Sequence, residues 1–178
     1  MAKILAGEAN SPGKFSRRTV NIVGSLDKID AHLFTQVCGF SLHIGDLTPV
    51  IFDYQMIEYQ RAGLTFDNLS RLEHAGLIRL TGGGETFGKV CLQKQFVVSY
   101  FADRFSIEFN SGIQEPTQQA PVYRLRTGQV SFTQAGAELS SLSGARSQDG
   151  FIRCIAEYWK RFGVKFEPMS SMVPQDKS

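Results

Sequence analysis

The sequence is poor in the residues that make covalent or metal-bound frameworks. Only three cysteines occur in 178 residues, Cys38, Cys91 and Cys154. They are odd in number, far apart and free of any CxxC pair, so a disulfide scaffold is excluded and reduced, buried thiols are expected. His32, His43 and His74 form no HxH or HExxH pattern, and no metal site is expected. No stretch approaches the ~18 apolar residues of a membrane span, and the N-terminus has no apolar h-region. No membrane partner is therefore expected, and a cytoplasmic location is the default. A large excess of one charge is also missing. Nineteen Lys and Arg stand against seventeen Asp and Glu, a net +2, which neither demands nor forbids a polyanion.

What is present is ordinary globular material. Apolar residues make up 42% and charged residues 20%, a balance that argues against disorder. Fourteen Phe supply a core large enough to need no metal or disulfide. The expected organisation is an N-terminal helical segment over 1–24, an α+β domain over 25–166 and a disordered tail over 167–178. Residues 3–9 read as the end of a helix, either frayed or the remnant of a longer protein, broken by the turn residues 10–13.

A short helix from Phe15 to Val23 is predicted with Phe15, Val20 and Val23 inward and Arg17 and Arg18 outward. Ser25 is the expected cap of the next helix, with Asp27 and Asp30 at its positive start and Leu26, Ile29, Leu33, Val37 and Phe40 as its stripe. Residues 49–52 form a short apolar strand or turn, and a helix over 54–62 stops at Gly63. Thr65 then caps a helix burying Phe66, Leu69 and Leu72. Gly76 ends it, and Leu77–Leu80 continues as a strand expected to join a hairpin of residues 96–101 and 105–109. Helix, turn, short helix, Gly, strand is the core order of a winged helix. A mobile loop over 110–121, a second hairpin from 122–125 and 130–132, and a short helix capped by Thr133 follow. The last helix, 150–162, carries Phe151, Ile155, Trp159 and Phe162 inward, and an extended piece spans 164–166. The expected fold is a winged-helix-like three-helix core with a β-hairpin wing and additional C-terminal helices.

Two stretches resemble winged-helix transcription factors. Leu69-Ser70-Arg71-Leu72-Glu73-His74-Ala75-Gly76-Leu77-Ile78 is similar to their recognition helix and following strand. Val130 to Leu139, with Thr133, Gly136 and Glu138, is similar to the end of their wing. The chain over 4–166 also resembles the C-terminal region of a bacterial family, domain of unknown function 2806. Leu5-Ala6-Gly7-Glu8, Pro12 to Thr19 and Asp30 to Phe34 carry that likeness. It implies a bacterial source and longer relatives, so the protein's own N-terminal region is one expected partner. The opening also looks like phage-abortive-infection proteins, which implies a structural domain in a defence system.

Binding residues follow from the helix after Thr65. Asn68, Arg71 and His74 are its candidate contacts, because Asn and Arg read adenine and guanine edges in a major groove. Asp67 and Glu73 on the same helix would repel phosphates, and packing against a protein is the competing use. Arg17 and Arg18, with Lys14, Lys3 and Lys28 near, make the densest basic patch. Lys94 and Arg104 flank the wing hairpin. A solvated face is the commoner use of such charges. Lys160, Arg161 and Lys165 suit the negative end of the last helix.

No catalytic constellation stands out. Gly82-Gly83-Gly84-Glu85-Thr86-Phe87-Gly88-Lys89 lacks the Lys-Ser/Thr ending of a phosphate loop and is followed by strand-like sequence. No serine sits in a nucleophile elbow. A non-enzymatic module without a cofactor, contacting a protein, a nucleic acid or both, is the expectation.

Overall fold

The computed structural model describes residues 15–45, 49–81, 87–112 and 121–169. The expected helix end at 3–9, Lys3, Lys14, the glycine run 82–84 and most of the 110–121 loop lie outside these residues, as does the expected tail from 170 onward.

Among the described residues there are six helices and eight strands, an α+β arrangement. Helix α1 (Arg17–Ser25) is capped by the Ser16 hydroxyl, which accepts from the Thr19 amide. Helix α2 (Lys28–Cys38) starts at a reciprocal capping box in which Asp27 and Asp30 each accept from the other's amide. Asp27, not Ser25, is the cap, because Ser25 is consumed as the last residue of α1. Strand β1 (Pro49–Ile51) leads to the short α3 (Ile57–Arg61). Helix α4 (Phe66–His74) has the expected Thr65 cap, and Gly76 turns the chain at φ 78. Strand β2 (Ile78–Leu80) follows directly.

The strands form three antiparallel sheets. β2 does not join the 96–109 ribbon; it pairs with β7 (Val130–Phe132), Ile78 opposite Phe132, and β1 lies on the other side of β7. The ribbon itself forms as expected from β4 (Gln95–Tyr100) and β5 (Asp103–Phe109), but its outer partner is β8 (Val164–Pro168). Glu167 and Pro168 thus extend a strand instead of opening a tail, with Phe166 stacked on Phe105 at 4.8 Å. The second hairpin is absent too. β6 (Tyr123–Gly128) pairs with β3 (Phe87–Cys91), and Gln129 between β6 and β7 donates its amide to Ile51 and accepts from the Thr81 amide.

Helix α5 (Gln134–Ser140) is capped by the Thr133 hydroxyl, as expected. Its third residue explains the glycine there. A Cβ on Gly136 would lie 2.0 Å from the Leu77 carbonyl oxygen, so the helix and the start of β2 touch backbone to backbone. Helix α6 (Phe151–Lys160) buries Phe151, Ile155 and Trp159, with Tyr158 where Phe162 was expected. Phe162 lies past the helix end, is exposed, and carries the Arg126 guanidinium over its ring at 4.4 Å.

One aromatic cluster joins the layers. Phe52 meets Trp159 edge-on at 5.2 Å, and Phe40 meets both Tyr59 and Phe151. The indole N–H of Trp159 donates to the Arg126 carbonyl at 2.7 Å, so its one polar atom is satisfied. α1 belongs to this body: Phe15, Thr19 and Val23 are buried, and Glu138 of α5 accepts from the Ser16 amide and the Thr19 hydroxyl. Among the described residues no helix is long and apolar enough to cross a membrane.

Candidate functional site

Helix α4 is held to the N-terminus of α2 by charge. The Arg71 guanidinium donates through Nε to Asp30 and through Nη2 to Asp27, both at 2.5 Å. The capping box aims the two carboxylates the same way, since each is already fixed by the other's amide. The Asp30 amide, with the Arg71 charge, holds the Asp27 carboxyl below its ordinary value. The hydrogen bond to Asp30 holds the Arg71 guanidinium above its own. The spacing Asp27-x-x-Asp30 was readable as a helix start; its use as a socket for an arginine 41 residues away from Asp30 was not.

Asn68, His74 and Glu73 of α4 are also engaged within the chain. The Asn68 side-chain amide donates to the Gly63 carbonyl at 2.8 Å and closes off the end of α3. His74 bonds through Nδ1 to the Ser70 carbonyl one turn back. Glu73 accepts from the Leu80 amide at 2.7 Å and so ties α4 to β2. Leu69 and Leu72 are buried as expected.

Phe66 corrects the sequence expectation: it is 55% exposed, its ring 5.9 Å from that of Tyr54. At the first helical position its Cβ leans toward the helix start, past the residues that pack on the core. Ile57, at the start of α3, is half exposed as well. Ile29, expected in the α2 stripe, is likewise exposed, as the second residue of its helix.

The remaining candidate cations stand apart. Arg17 and Arg18 are exposed on α1, Lys94 lies between β3 and β4 in an ion pair with Glu108 at 3.3 Å, and Arg104 is exposed on β5. Lys165 pairs with Glu167 at 2.9 Å. The site residues thus fall on α1, α4, the β3–β4 connection and β5, and the three of α4 are the ones the fold gathers. A second exposed apolar surface lies at that connection, where Val90, Leu92 and Val97 border an open groove of about 440 Å³.

Burial pushes the Cys38 and Cys154 thiols up to about 12 and raises Cys91, so all three are protonated near neutrality. Among the described residues no group of three or more His, Cys, Asp or Glu could hold a metal ion.

Over residues 1–156 the chain matches the family described as protein of unknown function (DUF2806), and it belongs to that family. No curated protein and no solved structure matches it.

Proposed function

We propose that this DUF2806 domain is a non-enzymatic binding module with a winged-helix-like layout, in which the start of α4 engages a protein and not a duplex. The layout is supported by order and pairing together. α2, β1, α3, α4, β2 and β7 follow in sequence, and the strands lie side by side as β1-β7-β2. In that layout the wing is the whole excursion between β2 and β7, enlarged to carry β3 to β6, and α4 stands in the recognition position.

The observation that carries the choice of partner is the engagement of Arg71. Its Nε and Nη2 donors, groups suited to a guanine edge or a phosphate, are turned to Asp27 and Asp30, two carboxylates whose charge beside it disfavours a phosphate. Asn68 is spent on Gly63, while Asp67 and Glu73 keep the helix acidic. What α4 offers outward is Phe66 beside Tyr54, an aromatic pair of the kind that anchors protein interfaces. The exposed Val90, Leu92 and Val97 on the enlarged wing favour the same class of partner.

Fluorescence anisotropy with a labelled random-sequence duplex tests this. The expected result is weak binding whose affinity changes little between ~50 and ~200 mM salt, because few phosphates are neutralised. A fall of about a thousandfold over that range, with a salt slope that Arg71→Ala lowers by about one, would overturn the proposal.

A further inference from the structure

The sheet that holds β4 runs β4-β5-β8, so one side of β4 faces β5 and the other is an edge. In an antiparallel ladder alternate residues bond to the neighbouring strand and the rest turn their backbone away from it. The Phe109 amide donates to the Lys94 carbonyl at 3.0 Å, which sets the alternation. Phe96, Val98 and Tyr100 face β5, and Gln95, Val97 and Ser99 face outward. The bonds of Ser99 agree with this. Its carbonyl accepts from the His43 amide at 2.9 Å, and its amide donates to the His43 carbonyl at 3.2 Å, both on the outer side.

That pairing stops after one bridge. Continued antiparallel to β4, Gly45 would stand opposite Val97, but at φ 58 it has left the extended conformation. Beside Val97 and Gly45 lies the open groove of about 440 Å³. Val97 is 41% exposed and Gln95 is exposed too. Among the described residues the outward amides and carbonyls of both are without a hydrogen bond. Across the groove is β3, paired there with β6 alone. The groove touches its consecutive residues Lys89, Val90 and Cys91. Successive residues of a strand point to opposite faces, so the groove follows the edge of β3 as well. Leu92, in the turn between the strands and 76% exposed, joins Val90 and Val97 in an apolar rim.

Open main-chain groups beside an apolar rim suit an extended segment whose alternate side chains are apolar. Charge narrows the choice. Lys89 is the one charged residue lining the groove. Its ammonium donates to the Ile44 carbonyl at 3.2 Å and forms no ion pair among the described residues, which leaves two donors for an acceptor. A carboxylate on the incoming segment would meet them. A second copy of this chain would not bring one to its own edge. Residues 87–100 contain Lys89 and Lys94 and no Asp or Glu, so pairing of that stretch with itself adds lysines only.

We propose that the free edge of β4 takes up an extended segment of a partner protein. The segment pairs with Gln95 and Val97, sets alternate aliphatic residues on Val90, Leu92 and Val97, and places an Asp or Glu at Lys89. This rests on the reading of the domain as a protein-binding module, at a surface that shares no residue with α4. Selection of a displayed library of random dodecapeptides on the full chain, then fluorescence anisotropy with the selected peptides, is the test. The peptides should alternate aliphatic residues and carry an acidic one. Val97→Pro should weaken them by about tenfold, as the loss of one hydrogen bond predicts, while the β5 ladder, which does not use that amide, stays intact. Lys89→Glu should weaken them as well. Peptide N-methylation reads the same pairing without altering the protein, since one alternate set of peptide amides should be essential and the other dispensable. The proposal is overturned if no peptide is selected, if Val97→Pro binds as the wild type does, or if N-methylation shows no alternation. Release by Phe66→Asp in place of Val97→Pro would also overturn it and leave the α4 reading standing. So would a wild-type dimer in analytical ultracentrifugation that Val97→Pro returns to monomer, because the edge would then belong to a second copy.

Discussion

Replacing Gly136 with Ala should destabilise the protein although it improves a helix. Within α5 the change removes a glycine, worth about 1 kcal/mol of helix propensity. The added methyl would sit 2.0 Å from the Leu77 oxygen, and ordinary contact begins near 3.4 Å, so helix and strand must part by over an ångström. The obstacle is backbone and cannot rotate away. Parting strains the bonds that dock α5, from the Thr133 amide to Leu77 and from the Thr133 hydroxyl to Gly76 at 2.7 Å. Overpacking of this kind costs ~1–3 kcal/mol, and each weakened bond adds roughly 1. The net loss is about 2–4 kcal/mol, a fall in melting temperature of roughly 5–15 °C for a chain of this size. Gly24 is the control, since a Cβ there meets nothing within 4 Å and Gly24→Ala should stabilise by ~0.5–1 kcal/mol. Thermal melts followed by circular dichroism read both. A Gly136→Ala protein that melts at or above the wild type would refute the close approach of α5 to β2, and with it the β7–β2 register.

Other substitutions probe other joints. Tyr59→Phe removes the buried acceptor of the Phe52 amide and should cost ~1–3 kcal/mol in urea unfolding; an unchanged midpoint would mean that this amide is satisfied elsewhere. The Thr19 hydroxyl, with the Ser16 amide and Gln134, holds the Glu138 carboxyl below its usual 4.5. Its contribution is therefore complete above that value and lost as pH falls through the lower folded value. Wild-type stability should drop more than that of Glu138→Gln between about pH 5 and pH 3, and parallel curves would contradict the pairing. Phe66→Asp, a surface change, should move stability by no more than about 0.5 kcal/mol; a large loss would show the ring to be core.

Local features were legible in the chain, and long-range ones were not. Thr65 and Thr133 announce their helices because an N-cap hydroxyl bonds two or three residues ahead. Gly76 at φ 78 and the alternation of Phe105, Ile107 and Phe109 are equally local. Strand partners carry no such signature. Val130–Phe132 looks like one arm of a hairpin, yet it pairs with strands about 80 and 50 residues earlier in the chain, because a period of two says which face is buried and not which neighbour it meets. The Arg71 socket was hidden for the same reason. Its aspartates were visible as helix-start residues and its arginine as a candidate reader of bases, and only the α2–α4 packing joins them.

Site-specific photo-crosslinking from position 66, in cells that produce the protein, tests whether the start of α4 meets a protein. With benzoylphenylalanine replacing Phe66, and a matched control at the exposed Arg18, a discrete protein adduct is expected from position 66 alone. Adducts to nucleic acid, or the same products from both positions, would contradict it.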